Sequence, residues 1–214
     1  MTLPAVIPLF PLPDVVLFPR IPLALHVFEP RYRAMVRDAA RGARLVGMVL
    51  LRGDGQRGRE GHPEVFPVGT AGEMVHVEEL PDGRFDVVLR GVTTFAITRE
   101  IDRRTLYREA VVAARPLAQD WVDPGLRARI DILFRRYLAR IGRSTGPATV
   151  VDSVVDDECL VNFFAQHLGV TPLERQALLE TDSLAERARR LCDTLEFALE
   201  ELRLHGGGPA GRPH

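Results

Sequence analysis

The chain has 214 residues, of which 46% are hydrophobic and 27% charged, and its formal net charge is −1. This is the composition of an ordinary globular protein long enough to bury a sizeable core in one or two domains, with no global pull toward nucleic acid or an anionic membrane. All 28 basic residues are arginine; without lysine, P-loop, Schiff-base and Ser-Lys chemistry are excluded within this chain.

The opening residues MTLPAVIPLFPLP carry no basic start and are cut by prolines, so no secretory signal is expected. No apolar run reaches the ~18 residues of a spanning helix. A cytoplasmic location is the expectation. Pro8, Pro11, Pro13, Pro19 and Pro22 are too many for a helix and each lacks a ladder donor, so this stretch is extended, at strand edges and turns. From Ile21 the pattern alternates strictly. Ile21, Leu23, Leu25 and Val27 fall on one side, Pro22, Ala24, His26 and Phe28 on the other. The period then changes. Tyr32, Met35, Val36 and Ala39 recur at helical spacing, and Pro30 suits a first helical position, which predicts one helix near 30–41.

Leu45–Leu51 is a continuous apolar run of strand length, expected to be buried on both faces. The polar, glycine-rich residues 52–64 read as an exposed loop. Residues 65–115 read as a meander of short strands. In it Phe85, Val87 and Leu89 alternate with Asp86, Val88 and Arg90, after a turn signal at Pro81-Asp82-Gly83. Such spacing favours a barrel or sandwich, and closing the sheet hides strand edges.

Pro116 and Pro124 bracket a link to helical composition. Leu126, Ile130, Leu133, Phe134, Tyr137, Leu138 and Ile141 form an apolar stripe ending near Gly142. After a loop at 144–156, a helix from Asp157 is expected to bury Leu160, Val161, Phe164 and Leu168. Capping boxes at Thr171-Pro172-Leu173-Glu174 and Ser183-Leu184-Ala185-Glu186 open two more helices, the last running to about Leu204. Cys159 and Cys192 fall in predicted helices and are read as packed thiols, not a bridge.

Several motifs dissolve on inspection. Gly53 to Gly58 matches G-x-G-x-x-G, but no amphipathic helix can start in the Arg59–Pro63 segment that follows. The six histidines show no metal-ligand spacing, and Asp156, Asp157 and Glu158 sit at a helix start, where acids interact favourably with the dipole and cap free N–H groups. Of the three serines, Ser144, Ser153 and Ser183, none sits in a nucleophile elbow. Neither a cofactor nor a metal is expected.

The runs PLFPLPDVVLFP and PLALHVFEPRYR, then PVGTAGEMVHVEELPDGRFDVVLRGVTTFAI and FFAQHLGVTPLERQALLETDSLAERARRL, resemble the Lon protease amino-terminal domain family. The resemblance covers most of residues 5–203 in the family's order. It implies an α+β fold, in which a PUA-like, mainly antiparallel β pseudo-barrel at 1–117 is followed by a small α-helical subdomain at 118–205. Residues 206–214, GGGPAGRPH with its run of glycines, are read from composition as a disordered tail. The resemblance also implies a non-catalytic module, because in the full-length protease this region recognises substrate and does no chemistry. The expected partners are unfolded or exposed polypeptide segments, or a partner protease or ATPase, with homodimerisation left open and no membrane.

The candidate peptide- or protein-binding residues are Phe28, Glu29, Arg31, Tyr32 and Phe163. Arg31 offers a planar fork, Glu29 a carboxylate and Tyr32 an aromatic face. Phe163 lies beside Phe164, and two adjacent aromatics cannot fully share one helix face. The competing structural reading has Phe28 and Tyr32 stapling strand to helix while Glu29 and Arg31 mark the helix start. Charge is uneven: residues 1–98 net 0, 99–143 net +5 and 144–204 net −7. An alternative function, RNA binding, would use the basic segment through Arg99, Arg103, Arg104 and Arg108. It rests on fold analogy alone, and nucleic acid is not the expected partner.

Overall fold

The computed structural model describes residues 3–53, 63–101, 105–118, 120–142 and 156–204. The motif ending at Gly58, most of the 52–64 loop, the loop through residue 155 and the 206–214 tail lie outside the described residues. The chain divides into two compact units: residues 1–117 with 171–180, a β unit, and residues 118–170 with 181–214, a helical unit.

Prolines dictate how the β unit begins. β1 (Val6–Leu12) carries Pro8 and Pro11, which cannot donate to a ladder on both sides. Its partner changes sides at Leu9, which pairs with Gly47 while its amide donates to the Arg108 carbonyl. Val6–Pro8 pair antiparallel with β6 (Glu109–Ala114), and Leu9–Leu12 pair in parallel with β3 (Leu45–Leu50). Each half of β1 is therefore an edge, which is where proline is tolerated. β4 (Val68–Glu79) continues the sheet from β3 and pairs with the long β5 (Phe85–Ile101). The second half of β5 returns to β6, which closes a ring of five strands. β2 (Pro22–Val27) lies outside the ring and, among the described residues, pairs only with the first half of β5. Among these six strands every pairing but β1–β3 is antiparallel.

β3 is buried along its whole length, because both its faces meet apolar side chains. On one face Val49 joins Ile7, Leu9, Ala71, Phe95, Ala110 and Val112. On the other, Val46 and Met48 meet α1 (Pro30–Arg41), whose Tyr32, Met35, Val36 and Ala39 pack on Phe10, Met74, Phe85, Val87 and Leu89. Gly47 leaves the space that the Phe95 ring fills: a Cβ there would lie 2.9 Å from it. At the bulge between Met74 and His76, the guanidinium of Arg44 donates twice to the Met74 carbonyl, at 2.8 and 3.1 Å. The ladder's irregularity thus leaves no unmet acceptor at that carbonyl.

In the helical unit, α2 (Pro124–Arg140) starts on Asp123, which accepts from the Gly125 and Leu126 amides, and buries Ile130, Leu133, Phe134, Tyr137 and Leu138. α3 (Asp157–His167) is capped by Asp156 and stacks Phe164 on Phe134 at 4.0 Å. The Gly169 amide donates to the Tyr137 hydroxyl. α4 (Pro172–Leu179) has its capping box between Thr171 and Glu174, and it belongs to the β unit. There Gln176 donates to the Val68 carbonyl at 2.9 Å. α5 (Leu184–Leu204) starts with the Glu186 amide on Ser183 Oγ and the Ala185 amide on Asp120. These bonds hold the Asp120 carboxyl below its usual pKa, the Ser183 hydroxyl first among the causes. Arg187 is fully buried and donates to the Asn162 side chain and the Thr181 carbonyl. Cys159 and Cys192 are both free thiols. Among the described residues no helix is long and apolar enough to cross a membrane, and no group of acids, histidines and cysteines could hold a metal ion.

Candidate functional site: the solvent face of β2, β5 and β4

Alternation builds this face. In β5 Phe85, Val87 and Leu89 point to α1 and are buried, so Asp86, Val88 and Arg90 point to solvent. Register then sets rows across three strands. His26 lies opposite Asp86 and Glu78, Ala24 opposite Val88 and His76, and Pro22 opposite Arg90 and Glu73. The outer rows are closed by polar side-chain contacts. His26 Nδ1 lies 2.7 Å from Asp86, and Arg90 donates to Glu73 at 2.8 Å. On the other side of the His26 ring, Nε2 lies 3.1 Å from Arg84, which also reaches Asp82. The Arg84 backbone N–H is the main cause holding the Asp82 carboxyl below its usual pKa. Between the charged rows Ala24 and Val88 leave a small apolar strip.

At the end of β2 the chain turns into α1. Phe28 is 61% exposed, and its ring stacks loosely on His26, with centroids 6.5 Å apart. Glu29 is the N-cap of α1 but makes no side-chain cap bond. Its carboxylate instead accepts from Arg31 at 2.9 Å, and both side chains remain largely exposed. The Arg31 guanidinium lies 4.4 Å from the centroid of the Tyr32 ring.

The expected residues therefore separate. Phe28, Glu29 and Arg31 share one exposed corner. Tyr32 does not offer an aromatic face: it is 5% exposed, its ring packed on Phe10 at 4.4 Å and its hydroxyl donating to the Pro11 carbonyl at 3.1 Å. Burial pushes its hydroxyl pKa up. Nor do Phe28 and Tyr32 form a staple, since Phe28 points to solvent. Phe163 belongs to the helical unit and is half-buried, edge-on to Phe164 and 4.3 Å from the His167 ring. Of the arginines named for RNA, Arg103 and Arg104 lie outside the described residues. Arg108 is bound in a fork to Glu100 and donates to the Pro63 carbonyl.

Sequence reasoning did not pick out Ala24 and Val88 as neighbours in one strip. The alternation in each strand put both on the outer side; the pairing of β2 with β5, which no local pattern encodes, puts them side by side.

A model of the family described as the ATP-dependent protease La (LON) substrate-binding domain matches residues 6–196. The chain belongs to this family. The Lon protease of Azorhizobium caulinodans is 25% identical over 199 residues, which is 92% of this chain and 23% of that protein. The Lon protease of Anaeromyxobacter dehalogenans is 27% identical over 209 residues, 94% of this chain and 24% of that one. The chain thus spans about a quarter of the length of the curated Lon proteases it matches. Among solved structures, a Lon N-terminal domain protein from Xanthomonas campestris is 25% identical, with a TM-score of 0.66 over 88% of this chain and 97% of that one. The N-terminal domain of the Mycobacterium avium complex Lon protease is 16% identical with a TM-score of 0.67, over 89% of this chain and 98% of that one; it speaks for the fold alone. The α+β Lon substrate-binding fold, a mainly antiparallel pseudo-barrel with helices, is as the sequence resemblance implied.

Proposed function

We propose that this chain is a non-catalytic, cytoplasmic recognition module that binds exposed apolar segments of other polypeptides at the Phe28 corner of the β unit. The observation that carries this is Phe28 itself: a large aromatic side chain, 61% exposed, beside a complementary Glu29–Arg31 pair and an apolar strip at Ala24 and Val88. An exposed aromatic flanked by an arginine is a frequent anchor for a protein partner. Glu29 and Arg31 supply polar contacts at its rim, and Tyr32 acts from beneath, as the surface on which Arg31 rests. The description of the family as a substrate-binding domain points the same way. Against an enzymatic reading, the chain contains no lysine, and Ser183 is committed to capping α5 and bonding Asp120. Phe163 is a weaker contact than Phe28, because Phe164 and His167 cover much of its ring.

The test is fluorescence anisotropy with fluorescein-labelled, unstructured ten-residue peptides rich in leucine and valine. Micromolar binding is expected, because ordering a flexible peptide offsets much of the contact energy. Phe28→Ala and Arg31→Glu are each expected to weaken it about fivefold, roughly 1 kcal/mol. Flat titrations to high micromolar, with an unchanged circular dichroism spectrum, overturn the reading.

A further inference from the structure

β2 ends the sheet. Among the described residues only β5 pairs with it, in a regular ladder from Pro22↔Arg90 to Val27↔Phe85 that contains no bulge. Just before this ladder, the Gly91 amide donates to the Ile21 carbonyl. Antiparallel pairs alternate between bonded and non-bonded. Counting from Ile21, the main chains of Leu23, Leu25 and Val27 bond β5, and the N–H and C=O groups of Ala24 and His26 point away from the sheet. Folded proteins blunt such edges with charged side chains, prolines, bulges or a covering element. Here Pro22 guards one end alone. No lysine or arginine lies within Pro22–Val27, and the side chains of Ala24 and His26 are exposed.

We infer that the Ala24–His26 edge of β2 takes up an extended apolar polypeptide segment as an added strand, bonded main chain to main chain and ending beside Phe28. This rests on the peptide-binding reading above and supplies its mode. The chemistry of the occupant follows from what flanks the edge. Alternate side chains of an added strand would lie beside half-buried Leu23 and Leu25 on one side, and beside Ala24 and the Phe28 ring on the other. The first flank is apolar; on the second, the His26 ring stands between Ala24 and Phe28 and is already engaged by Asp86 and Arg84. The polar groups nearby are already partnered, the His26 ring with Asp86 and Arg31 with Glu29, so none of them is left to select a charged side chain. A segment apolar at successive positions is what a native protein keeps inside and an unfolded one displays. Main-chain bonding also tolerates differences in side chains, which suits a site that meets many sequences.

The test is amide hydrogen exchange by nuclear magnetic resonance on the whole chain, with and without a saturating leucine- and valine-rich ten-residue peptide. Ala24 and His26 amides are expected to exchange fast in the free protein and at least tenfold more slowly with peptide. Leu23, Leu25 and Val27, already bonded to β5, are expected to change little. Ala24→Pro, which removes one outward donor without touching a β5 bond, is expected to weaken binding at least fivefold. If that variant does not fold, the exchange result decides alone. If the peptide binds and shifts resonances around Phe28 while the Ala24 and His26 amides still exchange fast, strand addition is overturned and the peptide-binding reading stands. If no peptide binds, both fall. Protection that grows with protein concentration in the absence of peptide would mean that a second copy of the chain takes the edge, which also overturns the inference.

Discussion

The two units keep their order by opposite means. The β unit closes a ring of strands over an apolar interior, and backbone atoms approach so closely at its crossings that only glycine fits. A Cβ on Gly91 would lie 2.1 Å from the Phe18 carbonyl oxygen, and one on Gly69 would lie 2.3 Å from that of Met48. In the helical unit the approach to a described glycine is by a side chain instead: a Cβ on Gly169 would lie 2.4 Å from the Tyr137 hydroxyl. That unit is organised by caps, by the Phe134–Phe164 stack and by a charged side chain, Arg187, at its centre. One unit should be intolerant of added atoms, the other of lost hydrogen bonds.

The largest expected effect follows directly. Gly91→Ala should destabilise the β unit by about 3 kcal/mol, because the clash is with main chain and cannot be relieved by a rotamer change. Urea denaturation followed by Phe- and Tyr-sensitive near-ultraviolet dichroism measures it, and a change below 1 kcal/mol would break the contrast. Next comes Arg187→Met, expected to cost about 2 kcal/mol, since it keeps volume but removes the buried bonds to the Asn162 oxygen and the Thr181 carbonyl. If Met proves neutral or stabilising, the polar centre is dispensable, as some buried ion networks are.

Legibility differed between the units for the same reason. Local signals were sufficient for single elements. The alternation Ile21 to Val27, the continuous run at Leu45 and the boxes at Thr171 and Ser183 each gave the right strand, burial or cap. They were silent on who pairs with whom. α4 looks like one more helix of a helical stretch, yet it joins the β unit, through contacts such as Gln176 to the Val68 carbonyl, which no spacing rule encodes. Tyr32 shows the same gap: its place in the apolar stripe of α1 and an exposed aromatic face were both open readings, and the Pro11 carbonyl that accepts its hydroxyl inside is a pairing no local pattern encodes.

Two smaller effects sharpen the comparison. Burial raises the Cys192 thiol from 9.0 to about 11. The folded state therefore holds that proton more tightly, and the stability it confers is complete below pH 9 and is lost as pH rises toward 11. Cys192→Ala should flatten the alkaline decline of the helical unit over that window, and an unchanged slope would show that other groups dominate. Cys159, less buried, should react first with a thiol reagent at pH 8. Smallest of all, Thr171→Ala should cost about 1 kcal/mol through the lost cap. The signature lies in where it acts: hydrogen exchange should rise in α4 and along β4 near Val68, with α2 and α5 unaffected.

The placement of α4 bears on how this polypeptide is born. Translation delivers β6, then residues 118–170, and only afterwards the helix that donates to the Val68 carbonyl. A nascent chain can close the strand ring when residue 114 clears the ribosome, but that ring must wait for a further stretch of synthesis before its last piece arrives. Until then the strands are assembled and unfinished, and a stall in the intervening codons would leave them so.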